Sequence, residues 1–303
     1  MTSKIDTLLS CCLYEKDLLS IAYIPRFKHR LSILSALSIP PGSRILDIGC
    51  GQGESSLALA LELGPSSHIT GIDTAIPDYG GPFTVRESHE HVAKSALGPQ
   101  ISFHLQMDAA SFLQSPDSCP ASNNFDAAVL CHSLWYFPTC DSVFSLFETL
   151  AEAGMPTIYL AEYDFDDEPA LPSQVPHLLA ARAQALFHAY KAPREAERLE
   201  LNVRAAPDKK TVMEAVSRAG YVVSRQGTLR PAEDFLEGHF EARYIQSDKF
   251  PPRVRAEGLP EEQVDEILAY GPRVKKALED LKANGIEKGR SMDVWWAEIE
   301  LKR

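Results

Sequence analysis

The stretch Arg44-Ile-Leu-Asp-Ile-Gly-Cys-Gly-Gln-Gly53 decides the fold of this chain. It joins a short apolar segment, Ile45 to Ile48, to glycines at every other position, and an apolar run from Leu57 to Leu63 follows. Gly64-Pro65 ends that run as a helix stop does. The pattern predicts a strand, a tight glycine turn and a helix. Glycines let the backbone come close to a ligand because no Cβ stands in the way, and the first N–H groups of the helix can then face that ligand.

The spacing of these glycines argues against a dinucleotide as the ligand. A dinucleotide-binding turn has the pattern G-x-G-x-x-G, whose third glycine packs the helix against the strand. In the two registers that the glycines allow, that position is Glu54 or Ser56. The carboxylates of Asp47 and Glu54 would also serve a pyrophosphate poorly. A nicotinamide-dependent oxidoreductase is therefore disfavoured.

The order acid-x-Gly-x-Gly-x-Gly, here Asp47-Ile-Gly-Cys-Gly-Gln-Gly53, resembles motif I of the class I S-adenosylmethionine (SAM) methyltransferases. An acid beside the glycines suits SAM, which carries a sulfonium and an α-ammonium group. The resemblance extends over residues 26–229 and the last predicted strand. It implies SAM as the cofactor and methyl transfer as the activity. The residues that it assigns to the amino-acid end of SAM are Asp47, Gly49, Cys50, Gly51 and Gly53.

Two further acids follow predicted strands. Asp73 ends the strand that begins at His68, about 20 residues past the glycines, where an acid holds a ribose diol in related folds. Residues 101–108 alternate apolar and polar side chains, which predicts a strand that ends at Asp108. The resemblance implies that Asp108 accepts a hydrogen bond from the adenine amino group and that the Ala109 N–H binds a ring nitrogen. An ordinary turn aspartate is the alternative at both acidic positions.

Seven apolar segments predict strands, and they begin near residues 44, 68, 101, 125, 156, 221 and 291. Helical patterns alternate with them, so the predicted fold class is α/β: a Rossmann-like, seven-stranded, mainly parallel sheet with helices on both faces and helical insertions. We predict a single domain over residues 1–303. It carries an N-terminal helical cap at 1–40 and helical insertions at 165–205 and 231–290, the last a lid or a dimerisation arm.

The end of the fourth predicted strand is where the resemblance places the methyl group. Its sequence, Cys131-His132, is neither the Asn/Asp-Pro-Pro-aromatic motif of DNA and protein-amide N-methyltransferases nor the acidic metal ligand of magnesium-dependent catechol-type enzymes. We predict that His132 is a general base, because its ordinary pKa lies near neutrality; a packed histidine is the alternative. A metal-independent reaction is expected and no metal ligand is predicted. Asp141 is predicted to cap the next helix.

Five side chains are predicted to contact the substrate. Tyr23 and Arg26 lie in the predicted N-terminal cap, which often covers the site in methyltransferases of this build. Trp135 and Tyr136 follow the fourth strand and could stack on a flat substrate or lie over the sulfonium. Glu162 lies near the carboxyl end of the fifth strand and could hold an amine or a hydroxyl. Packing within the protein is the alternative for the cap residues and the aromatic residues.

Charge and composition limit the partners. The net charge of −12 and the lack of a Lys/Arg-rich run disfavour nucleic acid and anionic membranes. No apolar run is long enough to span a membrane. The six cysteines form no C-x-x-C pair, and the N-terminus lacks the pattern of a signal peptide. We therefore expect a reduced, cytoplasmic protein, with a homodimer left open.

The sequence thus predicts SAM-dependent methyl transfer to an oxygen, nitrogen or carbon nucleophile of a small organic acceptor. In-line displacement needs mostly positioning, because a sulfonium is already a good leaving group. The alternative is a protein of the same fold that binds a small molecule and catalyses a non-methylating rearrangement, or that acts as a binding or regulatory module.

Overall fold

The computed structural model describes residues 3–115, 125–165, 169–191 and 206–302. Within these ranges the strands form one seven-stranded sheet with the order β3-β2-β1-β4-β5-β7-β6. The strands are β1 Arg44–Ile48, β2 His68–Asp73, β3 Ile101–Leu105, β4 Ala127–Cys131, β5 Thr157–Tyr163, β6 Tyr221–Leu229 and β7 Val294–Leu301.

Five of the strands are parallel neighbours. β1 pairs in parallel with β2 and with β4, and the parallel pairing continues outward to β3 and β5. β7 runs antiparallel between β5 and β6. The predicted seven-stranded, mainly parallel sheet is therefore confirmed. The strand order reverses between β1 and β4, and ligands of open α/β sheets bind at such a switch point, at the carboxyl ends of the strands.

Helices cover both faces of the sheet, because successive side chains of a strand point to opposite faces. Ile45 and Val129 pack with Phe27 and Leu57 on one face. Neighbouring strand residues such as Leu46 pack with helical residues on the other. The helices are α1 Lys4–Ser10, α2 Ile24–Leu37, α3 Glu54–Leu63, α4 Val85–Ala93, α5 Ala109–Gln114, α6 Cys140–Glu152, α7 Val175–Tyr190, α8 Lys209–Arg218, α9 Glu237–Gln246, α10 Phe250–Ala256, α11 Glu261–Leu268 and α12 Tyr270–Ala283.

The N-terminal cap is helical, but it is broken. α1 begins at a capping box in which Ser3 and Asp6 bond each other's backbone N–H groups. A 3₁₀ turn and a π-helical turn, Lys16–Leu18 and Leu19–Tyr23, then lead into α2. Pro25 lies in the first turn of α2, where a missing N–H does no harm. The break turns the chain so that α2 packs against α3 on the sheet.

The helical insertions share a core of their own. Phe187 of α7 packs with Ala242 and Ile245 of α9, and with Phe250 and Val264 of the following helices. The helix of the 165–205 insertion and the helices of the 231–290 insertion therefore form one packed layer. Residues 166–168 and 192–205 of the first insertion lie outside the described residues. The single-domain organisation stays a prediction.

Two local expectations were wrong. β3 ends at Leu105, and Asp108 instead caps α5 by accepting a hydrogen bond from the Ser111 N–H at 2.7 Å. The cap of α6 is Thr139 rather than Asp141, since the Thr139 hydroxyl accepts from the Ser142 N–H. The Asp141 error arises because Ser, Thr and Asp near a helix start compete for the same free N–H groups, and only the backbone path decides between them.

Candidate active site

The glycine turn after β1 leaves an open backbone at its centre. Gly51 has φ +52°, and a Cβ added there would meet no atom of the described residues within 4 Å. A Cβ at Gly49 would lie 2.6 Å from the Cβ of Ser133, and one at Gly53 would lie 2.9 Å from Phe103. The outer glycines therefore allow tight packing inside the protein. Gly51 alone of the three faces space in which another molecule could approach the backbone.

Asp73 holds the turn from the end of β2. Its Oδ2 accepts a hydrogen bond from the Gly51 N–H at 2.8 Å, and its Oδ1 accepts one from the Ala75 N–H at 2.8 Å. The side chain is half-buried. Each carboxylate oxygen can accept a second bond, so Asp73 still has capacity for a ligand hydroxyl.

Asp108 and Ala109 lie at the same edge of the sheet, beyond β3. Asp108 is exposed and caps α5 through Oδ1, and Ala109 is buried at the first position of that helix. Because β3, β2 and β1 are adjacent parallel strands, Asp108, Asp73 and Gly51 follow one another along their carboxyl ends. This edge presents an open turn and then two acids, in the order that the sequence predicted.

Asp47 and Cys50 face inward instead. Asp47 is 1% exposed, and its Oδ2 accepts hydrogen bonds from Ser55 at 2.7 Å and Ser56 at 2.6 Å. Burial raises the pKa of Asp47 and holds that of the Cys50 thiol well above its usual value. These contacts favour a bracing role for Asp47, which joins β1 to the first turn of α3. Direct contact of either side chain with a cofactor stays a prediction.

His132 follows β4 in a left-handed conformation, φ +56°, which is uncommon outside glycine. Its Nδ1 lies 3.3 Å from Oε1 of Glu162, and its Nε2 lies 2.9 Å from Nε2 of His29. Both ring nitrogens are therefore engaged. Burial and the Arg30 charge hold the pKa of His132 well below its ordinary value, which favours the neutral imidazole. The general-base role of His132 stays a prediction.

Glu162 lies on β5 and is 2% exposed. Its Oε2 accepts a hydrogen bond from the Leu134 N–H at 3.0 Å, and its Oε1 accepts one from the Tyr163 N–H at 3.2 Å. Burial raises the pKa of Glu162 to about 8. Backbone N–H groups thus hold the carboxyl beside His132. This favours positioning of His132 as the role of Glu162, over the predicted contact with substrate.

His29, on α2, is a site residue that the sequence reading missed. It is 4% exposed and stacks on Phe235 with ring centroids 4.1 Å apart. Its Nδ1 is buried and has no hydrogen-bond partner in the part of the chain that the structure describes, and burial lowers the pKa of His29 to about 2. One signal was available, since His29 shares the buried stripe of α2 with Ile33 and Leu37. A histidine in such a stripe is predicted to be a core residue, and its contact with His132 depends on the tertiary structure.

A cluster of aromatic rings, Trp135, Tyr163 and His177, packs beside these residues. Trp135 is 3% exposed and lies 4.7 Å from Tyr163 and 5.5 Å from His177, measured between ring centroids. His177 accepts a hydrogen bond from the Met292 N–H, so its proton is on the other ring nitrogen. Tyr136, in contrast, is 53% exposed. Trp135 is thus part of the interior rather than of the mouth, and only Tyr136 faces outward.

Arg26 and Tyr23 belong to the cover over the glycine turn. Nη1 of Arg26 lies 3.6 Å from Oε1 of Glu54, the first residue of α3. Nε of Arg26 lies 2.5 Å from Oε1 of Glu237, the first residue of α9. Tyr23 is buried beside a narrow cleft that Gln52 and Glu54 also line. The predicted contact of these two residues with substrate stays a prediction; the structure places them between the cap, the turn and the insertion.

The fold and the edge define a class of protein first: open α/β proteins, whose ligand sites lie at the carboxyl ends of the strands. The comparisons then agree on a family. A family model described as a methyltransferase domain matches residues 39–220. The methyltransferase phomM of Diaporthe leptostromiformis is 46% identical, over 98% of this chain and 89% of that protein. A second protein of that species, the methyltransferase phomM', is 45% identical over the same shares.

Among solved structures, the chain resembles a cyclopropane-fatty-acyl-phospholipid synthase-like protein from Lactobacillus casei. The TM-score is 0.79 at 24% identity, over 99% of this chain and 100% of that one. At this identity the likeness shows the fold alone, and it agrees with the Rossmann-like sheet. This chain belongs to the class I SAM-dependent methyltransferase family. It is an enzyme whose activity is SAM-dependent methyl transfer.

Proposed function

We propose that this methyltransferase transfers a methyl group from SAM to an oxygen, nitrogen or carbon nucleophile of a small organic acceptor, without a metal ion. One observation carries the proposal. Gly49 of the open turn packs so closely on Ser133 that a Cβ would lie 2.6 Å from it, and Ser133 follows His132. The turn that would hold the donor therefore adjoins the His132 cluster that would meet the acceptor.

The residues present fit SAM. Gly51 offers an approachable backbone, Asp73 has acceptor capacity for the ribose hydroxyls, and the exposed Asp108 suits the adenine amine, with the Ala109 N–H beside it. Asp47, Cys50 and Gly53 shape the turn from inside. Bound there, SAM would supply an electrophilic methyl group on a sulfonium. The chain's own task is to align the acceptor and exclude water.

The acidic residues around Tyr136 favour an acceptor that donates a hydrogen bond. The charges of Glu241, Glu237 and Glu162 all act on the Tyr136 hydroxyl. Burial, together with Glu237, raises the pKa of Glu241 to about 7, although Gln184 donates a hydrogen bond to it. Each of these carboxyl groups can accept a hydrogen bond from an N–H or O–H of the acceptor, and Arg26 pairs with Glu237. An amine or a hydroxyl compound therefore fits.

An assay for S-adenosylhomocysteine, the product of methyl transfer, tests this proposal. Purified protein is incubated with SAM and a panel of small amines, alcohols and phenols, and S-adenosylhomocysteine formation is measured. We expect turnover with a member of the first two classes. SAM binding without turnover on any acceptor would favour the alternative, a SAM-fold protein that does not transfer methyl groups.

Asp73→Ala tests the cofactor site. We expect a loss of about 1.5–3 kcal/mol in SAM binding free energy, the range for hydrogen bonds to a charged group. Isothermal titration calorimetry measures it. Asp78→Ala is the matched control, because Asp78 is exposed and pairs with Arg86. Equal affinity of both variants would remove Asp73 from the site.

Other expectations stay proposals. No helix in the described ranges is long and apolar enough to cross a membrane. We retain a cytoplasmic location, the lack of a nucleic-acid or membrane partner, and a possible homodimer as predictions from the sequence. Sedimentation of the purified chain measures the oligomeric state directly.

A further inference from the structure

We propose that His29, His132 and Glu162 form a proton relay that takes the acceptor's proton at Nδ1 of His29 and stores it on the carboxyl of Glu162. The relay rests on the proposed function, since it serves an acceptor that must lose a proton. It assigns the receiving atom to a residue of the N-terminal cap. His132 becomes a positioning residue that passes the proton on.

The geometry joins three elements in one line. Glu162 of β5 lies 3.3 Å from Nδ1 of His132, and Nε2 of His132 lies 2.9 Å from Nε2 of His29 on α2. The line ends at Nδ1 of His29, which is buried and has no hydrogen-bond partner among the described residues. Stacking on Phe235 fixes the plane of that ring. A buried, unpartnered nitrogen at the end of a bonded chain is unusual, because buried polar groups are normally paired.

The contacts allow two arrangements of protons, and both satisfy every internal bond. With Glu162 ionised, Nδ1–H of His132 donates to the carboxylate, and Nε2–H of His29 donates to Nε2 of His132. Nδ1 of His29 then has a free lone pair. With Glu162 protonated, its O–H donates to His132, Nε2–H of His132 donates to His29, and Nδ1 of His29 carries a hydrogen.

The reaction converts the first arrangement into the second. The acceptor's lone pair forms the new bond to the methyl carbon, and the C–S bonding pair remains on sulfur in S-adenosylhomocysteine. The acceptor's proton goes to Nδ1 of His29. The Nε2 proton of His29 moves to His132, and the Nδ1 proton of His132 moves to Glu162. One proton enters, Glu162 changes from charged to neutral, and neither imidazole becomes a cation.

The surroundings favour this end point. Burial and the Arg30 charge lower the pKa of both histidines, and burial raises that of Glu162 to about 8. A proton that arrives is therefore more stable on the carboxyl than on either ring. The titratable and charged groups around the relay are Arg30 on α2 with its partner Glu54 on α3, Cys131 on β4, Tyr136, Tyr163 on β5, His177 on α7 and Glu237 on α9.

The test needs neither SAM nor an acceptor. The full chain is labelled with ¹⁵N-histidine, and the ring nitrogens of His29 and His132 are followed by NMR from about pH 6 to about pH 10. We expect both rings to stay neutral and to exchange their protonated nitrogen together, with a midpoint near pH 8. His68, which bonds Ser102 at the other end of the sheet, is the internal control and should keep its tautomer.

Two variants test whether protonation of Glu162 sets the tautomers of the histidine rings. Glu162→Gln should hold both rings in one tautomer at every pH. If Glu162→Gln does not fold, His29→Phe decides, because it keeps the stack on Phe235 and leaves His132 alone with Glu162. In His29→Phe the tautomer of His132 should still change near pH 8. Rings that titrate separately to imidazolium, or a His132 tautomer that does not follow Glu162, would overturn the relay.

The relay and the proposed function can fail separately. If SAM does not bind or no acceptor turns over, the proposed function fails, while the NMR titration still reports on the three residues. With an acceptor in hand, His29→Phe should lower kcat by about 10²–10⁴-fold and leave SAM affinity within about threefold. Wild-type kcat should rise with pH through about 8, since only ionised Glu162 can take the proton. A kcat of His29→Phe within about threefold of the parent contradicts the proposal.

Discussion

At Gly51 the backbone has a positive φ, and the space beside it is open. We predict that Gly51→Val lowers SAM affinity by about 100-fold or more, about 2.7 kcal/mol, because a side chain would fill the space the cofactor needs. Titration calorimetry measures the affinity. The fold should survive, since a Cβ at this position meets no atom of the described residues within 4 Å.

The matched control is Gly64→Val. Gly64 also has a positive φ, +82°, and a Cβ added there also meets no described atom within 4 Å, but it ends α3 far from the turn. Both variants should therefore lose stability through backbone strain of about 1–3 kcal/mol. Only Gly51→Val should lose SAM. Equal SAM affinity of the two variants would mean that the turn does not approach the cofactor.

On the scale of an element, the start of α6 gives a direct comparison. Thr139 caps the helix, whereas Asp141 lies inside its first turn. We expect Thr139→Ala to lower the free energy of unfolding by about 1 kcal/mol through loss of the cap. Asp141→Ala should change it by about 0.5 kcal/mol or less, the typical effect of a favourable charge in a first turn. Urea denaturation of both variants measures the difference, and the reverse order would restore Asp141 as the cap.

Three side chains of α2 contact the first residue of α9 and the residues just before it. Arg26 pairs with Glu237, Lys28 pairs with Asp234, and His29 stacks on Phe235. These contacts hold the insertion over the site. We predict that Glu237→Gln speeds amide hydrogen exchange in α9 while the free energy of unfolding changes by about 1 kcal/mol or less, because the pair is partly exposed and screened.

Asp280→Asn is the control for Glu237→Gln. It breaks a comparable ion pair, Lys276–Asp280, within the exposed face of α12. Exchange in α9 should then stay at the parent rate. Equal exchange in the two variants would show that the Arg26 pair does not hold the insertion closed.

On the scale of the whole molecule, buried titratable groups set the pH dependence of stability. His29 and His177 have pKa values lowered to about 2 and about 3, and His132 is lowered as well. Unfolding returns them to about 6.5, so their stability is present above that pH and is lost as the pH falls below it. Glu162 and Glu241, raised to about 8 and about 7, act in the opposite sense, and their stability is lost as the pH rises through those values.

We therefore predict a maximum of the unfolding free energy near pH 6.5, where the two groups of residues balance. Below the maximum, one proton fewer should be taken up on unfolding of His29→Phe. The unfolding free energy should therefore change less steeply with pH, by about 1.4 kcal/mol per pH unit. Phe27→Leu is the control. It shrinks a buried side chain of the same helix and should lower stability at every pH without changing the slope. An unchanged slope in His29→Phe would mean that His29 is not held neutral.

The sequence by itself determined the sheet and the glycine turn. Alternating apolar segments and the spacing of Gly49, Gly51 and Gly53 depend on backbone geometry and local burial, which neighbouring residues encode. The edge formed by Asp73 and Asp108 could be predicted for the same reason, since parallel strands end on one side of a sheet.

Only the tertiary structure decided what the buried polar groups do. Asp47 is directed at Ser55 and Ser56, and His29 meets His132 although 103 positions separate them. Such pairings depend on how α2, β4 and β5 pack, and no local pattern carries that information. A carboxyl or imidazole takes its pKa from burial and from neighbours that are remote in sequence. The chemistry of His29, His132 and Glu162 is therefore a property of the packed fold.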